Sequence, residues 1–509
     1  MDRHRKALAA LPALLAALLL SACAGLPSLE QRSSTHSLSK AEAAETALGQ
    51  LIEPLTDVHP GKSGVHLLVS PHDAFEARTR LAEAAERTLD IQSYIWRMDE
   101  TGMMLFDALR KAADRGVRVR LMLDDYNTSG MDALLAEINA HENIEVRLFN
   151  PFTVRTPRWW QLLTDLPRIN RRMHNKTFTV DNSVTILGGR NVADEYFGAT
   201  DTLFTDVDVL ALGPVVNQVS QSFDRYWHSE SSYPAELILE PAQDGPPPGR
   251  REAGSDSYQK RLGDRDPVDA IRDRDIALCW ASTELVVDPP TKGLGEANDD
   301  ELILAQLRQA VGVPQSRLTM ISSYFIPTEE GADAMVELAR RGVRVRVLTN
   351  SMAATDEALV HSAYAKWRDD LLQGGVRLYE MERGGDGASE RNITTGPYGS
   401  ASSTLHAKTY AVDDQLVVGS FNADPRSVHL NTEIGLVIEC PELAEKVHRA
   451  FPERVMKHSY KVRLDDNGNL YWLEKSDDGV IRHGREPDTG FWQRILLPVY
   501  SRLPIDGLL

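Results

Sequence analysis

Cysteine is scarce in this chain, with three in 509 residues. That excludes a small disulfide-framework protein and a cysteine-rich metal domain. Aromatic residues make up only 7%, and positive charge is in deficit, with a formal net charge of -18. A chain this acidic lacks the broad basic surface by which proteins hold nucleic-acid backbones, so no nucleic-acid partner is expected. Beyond the first two dozen residues there is no long apolar run, which argues against a multi-span membrane protein. What is present is ordinary globular composition, 42% hydrophobic and 26% charged, over a length that suits two to three domains.

The N-terminus carries the first sharp signal. Arg3, Arg5 and Lys6 precede an apolar run over residues 7–20, and Leu20-Ser21-Ala22-Cys23 follows. A basic start, a short apolar stretch and small residues before a cysteine read as an export signal with a bacterial lipobox, Cys23 being the acylated first residue of the mature protein. Residues 1–23 are then signal peptide, and the body is a membrane-anchored lipoprotein of the bacterial envelope, facing the periplasm. The alternative is an uncleaved anchor helix with an incidental cysteine. Residues 24–63, polar and small, read as a tether leading away from the membrane. Cys279 and Cys440, far apart in sequence, read as buried thiols rather than a disulfide, although an exported protein permits one.

The body repeats itself. Arg115-Gly116-Val117-Arg118-Val119-Arg120 recurs letter for letter as Arg341-Gly342-Val343-Arg344-Val345-Arg346. Ile91-Gln92-Ser93-Tyr94 is answered by Ile321-Ser322-Ser323-Tyr324, and Val146-Arg147-Leu148-Phe149 by Val376-Arg377-Leu378-Tyr379. Matches in one order at offsets of 226, 230 and 230 mark two copies of one structural unit. Short β-branched runs alternate with amphipathic helical stretches in each copy, which predicts α/β lobes around mainly parallel sheets. The first lobe is expected over residues 64–233, a Pro/Gly-rich linker over 234–267 and the second lobe over 268–458. The flexible stretch 384–403 reads as a lid or acceptor-binding loop. Residues 459–509 depart from the repeat and read as a cap on the second lobe, with membrane docking as the alternative.

The chemistry sits in one motif present twice. His174-Asn175-Lys176 is followed by Asp181 and then by Gly188-Gly189-Arg190-Asn191; His406-Ala407-Lys408 is followed by Asp413 and then by Gly419-Ser420-Phe421-Asn422. The histidines lie 232 residues apart, in register with the repeat. Apolar, β-branched flanks around Asp181-Asn182 predict a β-hairpin. Residues i and i+2 of a strand face the same way, so His174 points with Lys176 and His406 with Lys408. Asn191 and Asn422 return beside the histidines and can donate hydrogen bonds to a phosphate. Asp181 and Asp413 belong to the motif, yet their place at the turn reads mainly as scaffold. Two copies face to face would set two His, two Lys and two Asn around one phosphodiester. One imidazole attacks phosphorus, the other shuttles the proton, and lysines and amides neutralise the phosphoryl oxygens. A nucleophilic imidazole needs a partner on its other nitrogen. Asp206 and Glu433, 227 apart and equivalently placed after each motif, are the candidates. No cofactor and no metal is expected, because neither motif gathers histidines and carboxylates into a ligand set.

At these residues the chain resembles the phospholipase D superfamily, defined by paired HxKxxxxD motifs, and within it the bacterial cardiolipin synthases, most of all those of the C type. Ser93-Tyr94-Ile95-Trp96, Leu148-Phe149-Asn150-Pro151-Phe152, Asn170-Arg171-Arg172-Met173 and Asn422-Ala423-Asp424-Pro425-Arg426-Ser427 extend the likeness beyond the superfamily motif. The resemblance implies two α/β/α sandwich lobes with the active site at their interface, and a catalytic set of His174, Lys176, Asp181, His406, Lys408 and Asp413. It implies transfer of a phosphatidyl group to phosphatidylglycerol, with phosphatidylethanolamine as donor and cardiolipin as product. By superfamily habit His174 is the nucleophile and His406 the acid/base. The implied partner is the phospholipid membrane, with an accessory protein left to test. Two departures stand out: Gly189 where the superfamily often has serine, and the lipobox, which belongs to no catalytic motif. Residues 152–172 combine Trp159 and Trp160 with Arg155, Arg158, Arg168, Arg171 and Arg172. This suits an anionic membrane interface, the alternative being a packed loop with solvated arginines. Rival readings are a hydrolase releasing phosphatidic acid, a nuclease using the same pocket, and an inactive envelope scaffold.

Overall fold

The structure, a computed structural model, describes residues 25–200, 203–242, 267–273, 275–355, 357–383, 403–453, 455–476 and 479–490. Cys23, the expected lid apart from Ser403, most of the expected linker and the chain from Phe491 onward lie outside the described residues.

Two glycines account for the letter-for-letter repeat. Helices Glu100–Asp114 and Thr328–Arg340 are followed by Gly116 at φ 93° and Gly342 at φ 92°, and the chain turns directly into strands Arg118–Asp124 and Arg344–Asn350. A left-handed residue just past a helix is where glycine costs least. In each lobe three strands run parallel. They are Thr88–Ser93, Arg118–Asp124 and Ile144–Phe149 in a nine-stranded sheet, and Arg317–Ser322, Arg344–Asn350 and Arg377–Met381 in a ten-stranded one. Beside the first of each trio lies an antiparallel hairpin, Thr177–Val180 with Val184–Gly188 and Lys408–Val412 with Gln415–Gly419. Next to the hairpins run Asp208–Leu212 and Ile434–Ile438, also antiparallel. The expectation of mainly parallel sheets is therefore corrected. Tight turns replace helical crossovers on one side of each sheet, and a two-residue turn can only join antiparallel strands.

Helices cover both sheets. One buried cluster runs from Val65, Met122 and Leu187 through Phe223 and Trp227 of helix Pro214–Trp227 to Ile321, Leu348 and Leu416. The lobes thus share a core. They are also sewn together by parallel pairing of Leu203–Thr205 with Ser403–Leu405 and by a bridge from Met173 to Thr432.

Three expectations change and one gains detail. First, residues 25–63 are a strap rather than a tether. Arg120 and Arg147 are fully buried, and a buried guanidinium needs acceptors. The strap supplies them, Arg120 donating to Thr35 O at 2.8 Å and Arg147 to Ser33 O at 2.8 Å. Helix Ala47–Asp57 then buries Leu48 and Ile52. Second, the boundary between lobes falls near Ser282. Helix Pro267–Arg272 packs on the first lobe, and Cys279–Ala281 pairs with Ser63–Leu68 in the first sheet. Third, Cys279, on the edge strand of the first sheet, and Cys440, just past strand Ile434–Ile438 of the second, form a disulfide with 6.6 Å between Cα atoms. Fourth, the described tail adds Ser459–Leu464, Leu470–Ser476 and Gly479–His483 to the second sheet. Trp472 is buried there and donates to Glu380 at 2.9 Å. No helix among the described residues is long and apolar enough to cross a membrane.

Candidate active site

Each hairpin begins at its histidine and turns at its aspartate. Asp181, Asn182 and Asp413 take left-handed φ of 49°, 48° and 49°, a conformation open to Asp and Asn in turns. Asp181 accepts backbone N–H bonds from Glu86, Arg87 and Thr88 at 2.8–2.9 Å, and Asp413 from Gln315, Ser316 and Arg317 at 2.8–2.9 Å. Both sit at the turn, with the strands Thr177–Val180 and Lys408–Val412 between them and their histidines. There they anchor the hairpin to the neighbouring strand.

The histidines are crossed between lobes. His174 Nδ1 lies 2.8 Å from Glu433 Oε2, and His406 Nδ1 lies 2.6 Å from Asp206 Oδ2. Each first-lobe imidazole is thus oriented by a second-lobe carboxylate, and the reverse. Backbone bonds enforce the crossing. His174 N donates to Thr432 O at 2.9 Å, and His406 N to Thr205 O at 2.8 Å. With Nδ1 engaged, Nε2 of each ring is left for chemistry.

The lysines are almost fully buried at 3% and 2% exposure. Lys176 Nζ donates to His174 O at 2.7 Å, and Lys408 Nζ donates to His406 O and lies 3.2 Å from Ser323 Oγ. Each lysine therefore folds back beside its own histidine. Asn422 accepts from Ser323 at 2.9 Å, and Asn191 donates to the Tyr196 hydroxyl at 2.8 Å. That hydroxyl meets His406 Nε2 at 3.3 Å. The asparagines are tied into the site through an intermediary hydroxyl. Phe204 stacks on His406 at 5.6 Å, while Tyr94 packs edge-on to His174 at 4.9 Å and carries Lys176 over its ring at 5.3 Å.

The electrostatics follow from packing two histidines and two lysines side by side, largely out of water. Burial pushes His174 well below its ordinary range, and Lys176, Lys408 and His406 add to the effect. His406 is lowered by burial and by Lys408 against the pull of Asp206. Burial brings Lys176 down to about 7 despite Glu433. The carboxylates diverge. Burial lifts Glu433 to about 7. For Asp206 the hydrogen bond from His406 and the charges of His406, Lys408 and Arg190 outweigh burial and leave about 2.

Several contributors escape sequence reasoning. Asp124 Oδ2 accepts Met173 N at 2.7 Å, and Asn350 clamps Leu405 through both its N–H at 3.0 Å and its carbonyl at 2.9 Å. Each is the last residue of a parallel strand and holds the backbone just before a histidine. The available signal was the rule that α/β sites gather at carboxyl ends of parallel strands. Asp288 steadies Glu433 from behind, accepting its N–H at 2.9 Å and pairing with Lys292 at 2.7 Å. No sequence pattern flagged Tyr196 or Phe204. Away from this site, buried His361, Glu380 and Glu486 converge, but on the guanidinium of Arg368, which pairs with both carboxylates. The positive charge there is already built into the chain.

Two pseudo-equivalent lobes that share one crossed pair of histidine–carboxylate dyads, with lysines alongside and hairpins at the carboxyl ends of parallel strands, define the phospholipase D-like class. The family model "Cardiolipin synthase, PLD-like domain" matches residues 79–227 and 303–455, and the chain belongs to that family. It is 43% identical over 474 residues to Cardiolipin synthase C of Escherichia coli strain K12, covering 91% of this chain and 99% of the relative. It is 27% identical over 421 residues to Cardiolipin synthase A of Pseudomonas entomophila strain L48, covering 82% and 74%. The fold is shared with phosphatidylserine synthase of Haemophilus influenzae Rd KW20, at 14% identity and a TM-score of 0.58 over 90% of this chain and 100% of that one.

Proposed function

We propose that this protein makes cardiolipin by moving a phosphatidyl group through a phosphohistidine to phosphatidylglycerol, with phosphatidylethanolamine as donor. The observation that carries it is the crossed dyad pair, in a chain 43% identical along nearly its whole length to Cardiolipin synthase C. His174 is the nucleophile: burial and the two lysines keep it neutral. Its Nε2 forms a bond to phosphorus as the bond from phosphorus to the donor's headgroup oxygen breaks, and His406 gives that oxygen its proton. His406 enters the first step as the imidazolium and is neutral after it; Asp206 stays ionised and supplies the counter-charge for that form against the burial and the Lys408 charge that disfavour it. In the second step neutral His406 takes the proton of a glycerol hydroxyl of phosphatidylglycerol. The new P–O bond forms and the P–N bond breaks. Lys176 and Lys408 face the phosphoryl oxygens during both transfers.

The same reading includes placement in the bacterial envelope as a lipoprotein acylated at Cys23, with the body facing the periplasm. The Cys279–Cys440 disulfide supports it, since such bonds persist in oxidising compartments.

Purified full-length protein given labelled phosphatidylglycerol, with and without phosphatidylethanolamine, is expected to yield cardiolipin and to release ethanolamine in the mixed case. Phosphatidic acid as the only product would replace the synthase with a hydrolase. His174→Ala and His406→Ala are each expected to cut turnover by about a thousandfold or more while melting like the parent protein.

A further inference from the structure

Residues 152–172 lead straight into His174, and they carry apolar side chains outward. Trp159, Leu163 and Leu166 are 56%, 71% and 48% exposed, the first two one turn apart on helix Trp159–Thr164. Tyr126, 47% exposed, packs against Phe152 of the same stretch. Such a group of large apolar side chains on one surface needs an occupant.

The arginines of the same stretch are committed inside the protein. Arg155 grips Asp125 and Asp132, and Arg158 donates to Asp125 O at 2.7 Å and Thr128 Oγ1 at 3.1 Å. Arg168 pairs with Asp165, Arg171 donates to His429 O at 3.0 Å, and Arg172 pairs with Asp124. These bonds tie the stretch to the body just ahead of His174 in the chain. They leave its outer face apolar rather than basic.

The strap gives the orientation. Arg32 donates to the carbonyls of His228 and Ser229, and nearby Ser231 O accepts Asn150 N at 2.8 Å. Asn150 in turn donates to Arg171 O at 2.9 Å. The chain emerging from Cys23 therefore meets the body at the end that carries the apolar stretch. The nine residues from Cys23 to Arg32 span at most about 30 Å.

We infer that Tyr126, Trp159, Leu163 and Leu166 form an apolar docking face that enters the acyl-chain boundary of a phospholipid bilayer and sets the mouth of the site on the membrane. Docking is driven by apolar insertion and needs no anionic lipid. The inference rests on the reading that the substrates are membrane phospholipids.

The test uses full-length acylated protein reconstituted in phosphatidylethanolamine/phosphatidylglycerol vesicles. A polarity-sensitive dye on Leu163→Cys is expected to shift to the blue and to be quenched by lipids nitroxide-labelled in their acyl chains. The same dye on Val480→Cys, an equally exposed apolar position on the tail, is expected to do neither. Both results should hold in neutral phosphatidylcholine vesicles. Identical behaviour of the two labels overturns the docking face, and a signal that vanishes in neutral vesicles overturns apolar insertion in favour of charge. In turnover, Trp159→Ser with Leu163→Ser should raise KM for vesicle lipid by about tenfold or more, the effect of returning a large apolar side chain to water. Turnover on dispersed short-chain lipid should be unchanged; equal losses on both substrates count against docking. The dye reports position without turnover, so docking and the synthase reading can fail separately.

Discussion

The two dyads of the site are built differently, and the difference is one methylene and one hydroxymethyl group. Behind His174 stands Glu433, long enough to be braced by the Ser420 hydroxyl, which donates to its Oε2. Behind His406 stands Asp206, shorter and held closer to its own backbone, with Oδ1 taking Val207 N at 2.8 Å. A side chain at Gly189, the position equivalent to Ser420, would begin 2.2 Å from that same oxygen. Gly189, met in the sequence as the loss of a hydroxyl donor, is thus the space that lets an aspartate work. The two also differ electrically, for another reason: burial lifts Glu433 against the lowering pull of the Ser420 hydrogen bond, whereas the hydrogen bond and charge of His406 hold Asp206 down. The short carboxylate keeps its charge at about 2, whereas the long one is lifted to about 7. A near-symmetric frame thereby holds two histidines with unequal partners, which suits one nucleophile and one proton carrier.

The largest test of this asymmetry is a pair of isosteric changes. Asp206→Asn removes a full charge from behind His406 and is expected to lower kcat by about a thousandfold. Glu433→Gln, at a group already half protonated near neutrality, should cost about tenfold. Equal losses in steady-state kinetics would erase the distinction.

A smaller effect is expected in the pH profile. Lys176 titrates near 7, so as pH rises through that value the free enzyme loses a positive charge facing the phosphate. Its kcat/KM should therefore decline above about pH 7. Because His174 is held below its ordinary range, it stays neutral across the same window, and the acid limb falls below that of an ordinary histidine. Lys176→Arg should flatten the alkaline decline while lowering the plateau by about tenfold or more, since the broader guanidinium keeps its charge but cannot sit where the ammonium meets His174 O. An alkaline limb that persists in Lys176→Arg assigns it to another group.

The smallest effects concern the brace. Gly189→Ser must displace Asp206 and is expected to destabilise the fold by about 1–3 kcal/mol, together with loss of activity. Ser420→Ala gives up two buried hydrogen bonds, the one to Glu433 and the one accepted from Ile434 N, about 1–2 kcal/mol together. Thermal melts of the two variants rank them, and a Gly189→Ser protein as stable as the parent would refute the spatial account.

Much of the site could be read in one dimension. The hairpins at His174 and His406, the scaffold role suggested for Asp181 and Asp413, and the carboxylates Asp206 and Glu433 all follow from strand periodicity combined with the repeat offset. Tyr196, Phe204, Asp124 and Asn350 could not be read this way: the first two lie outside the repeated motifs, and the last two, though they end repeated strands, differ in residue type between the copies. The strap was misread for a related reason. Ser33 and Thr35 look like tether residues until the buried guanidinia of Arg147 and Arg120 require their carbonyls.

Duplication, hairpin geometry and the inventory of His, Lys and carboxylate groups were settled by the order of residues alone, because local periodicity and a fixed offset are properties of the chain. Which carboxylate serves which histidine, and where Cys279 finds Cys440, were decided only when the lobes closed on each other. Those facts depend on contacts between residues some 160 to 260 positions apart, and no short-range pattern encodes such a meeting.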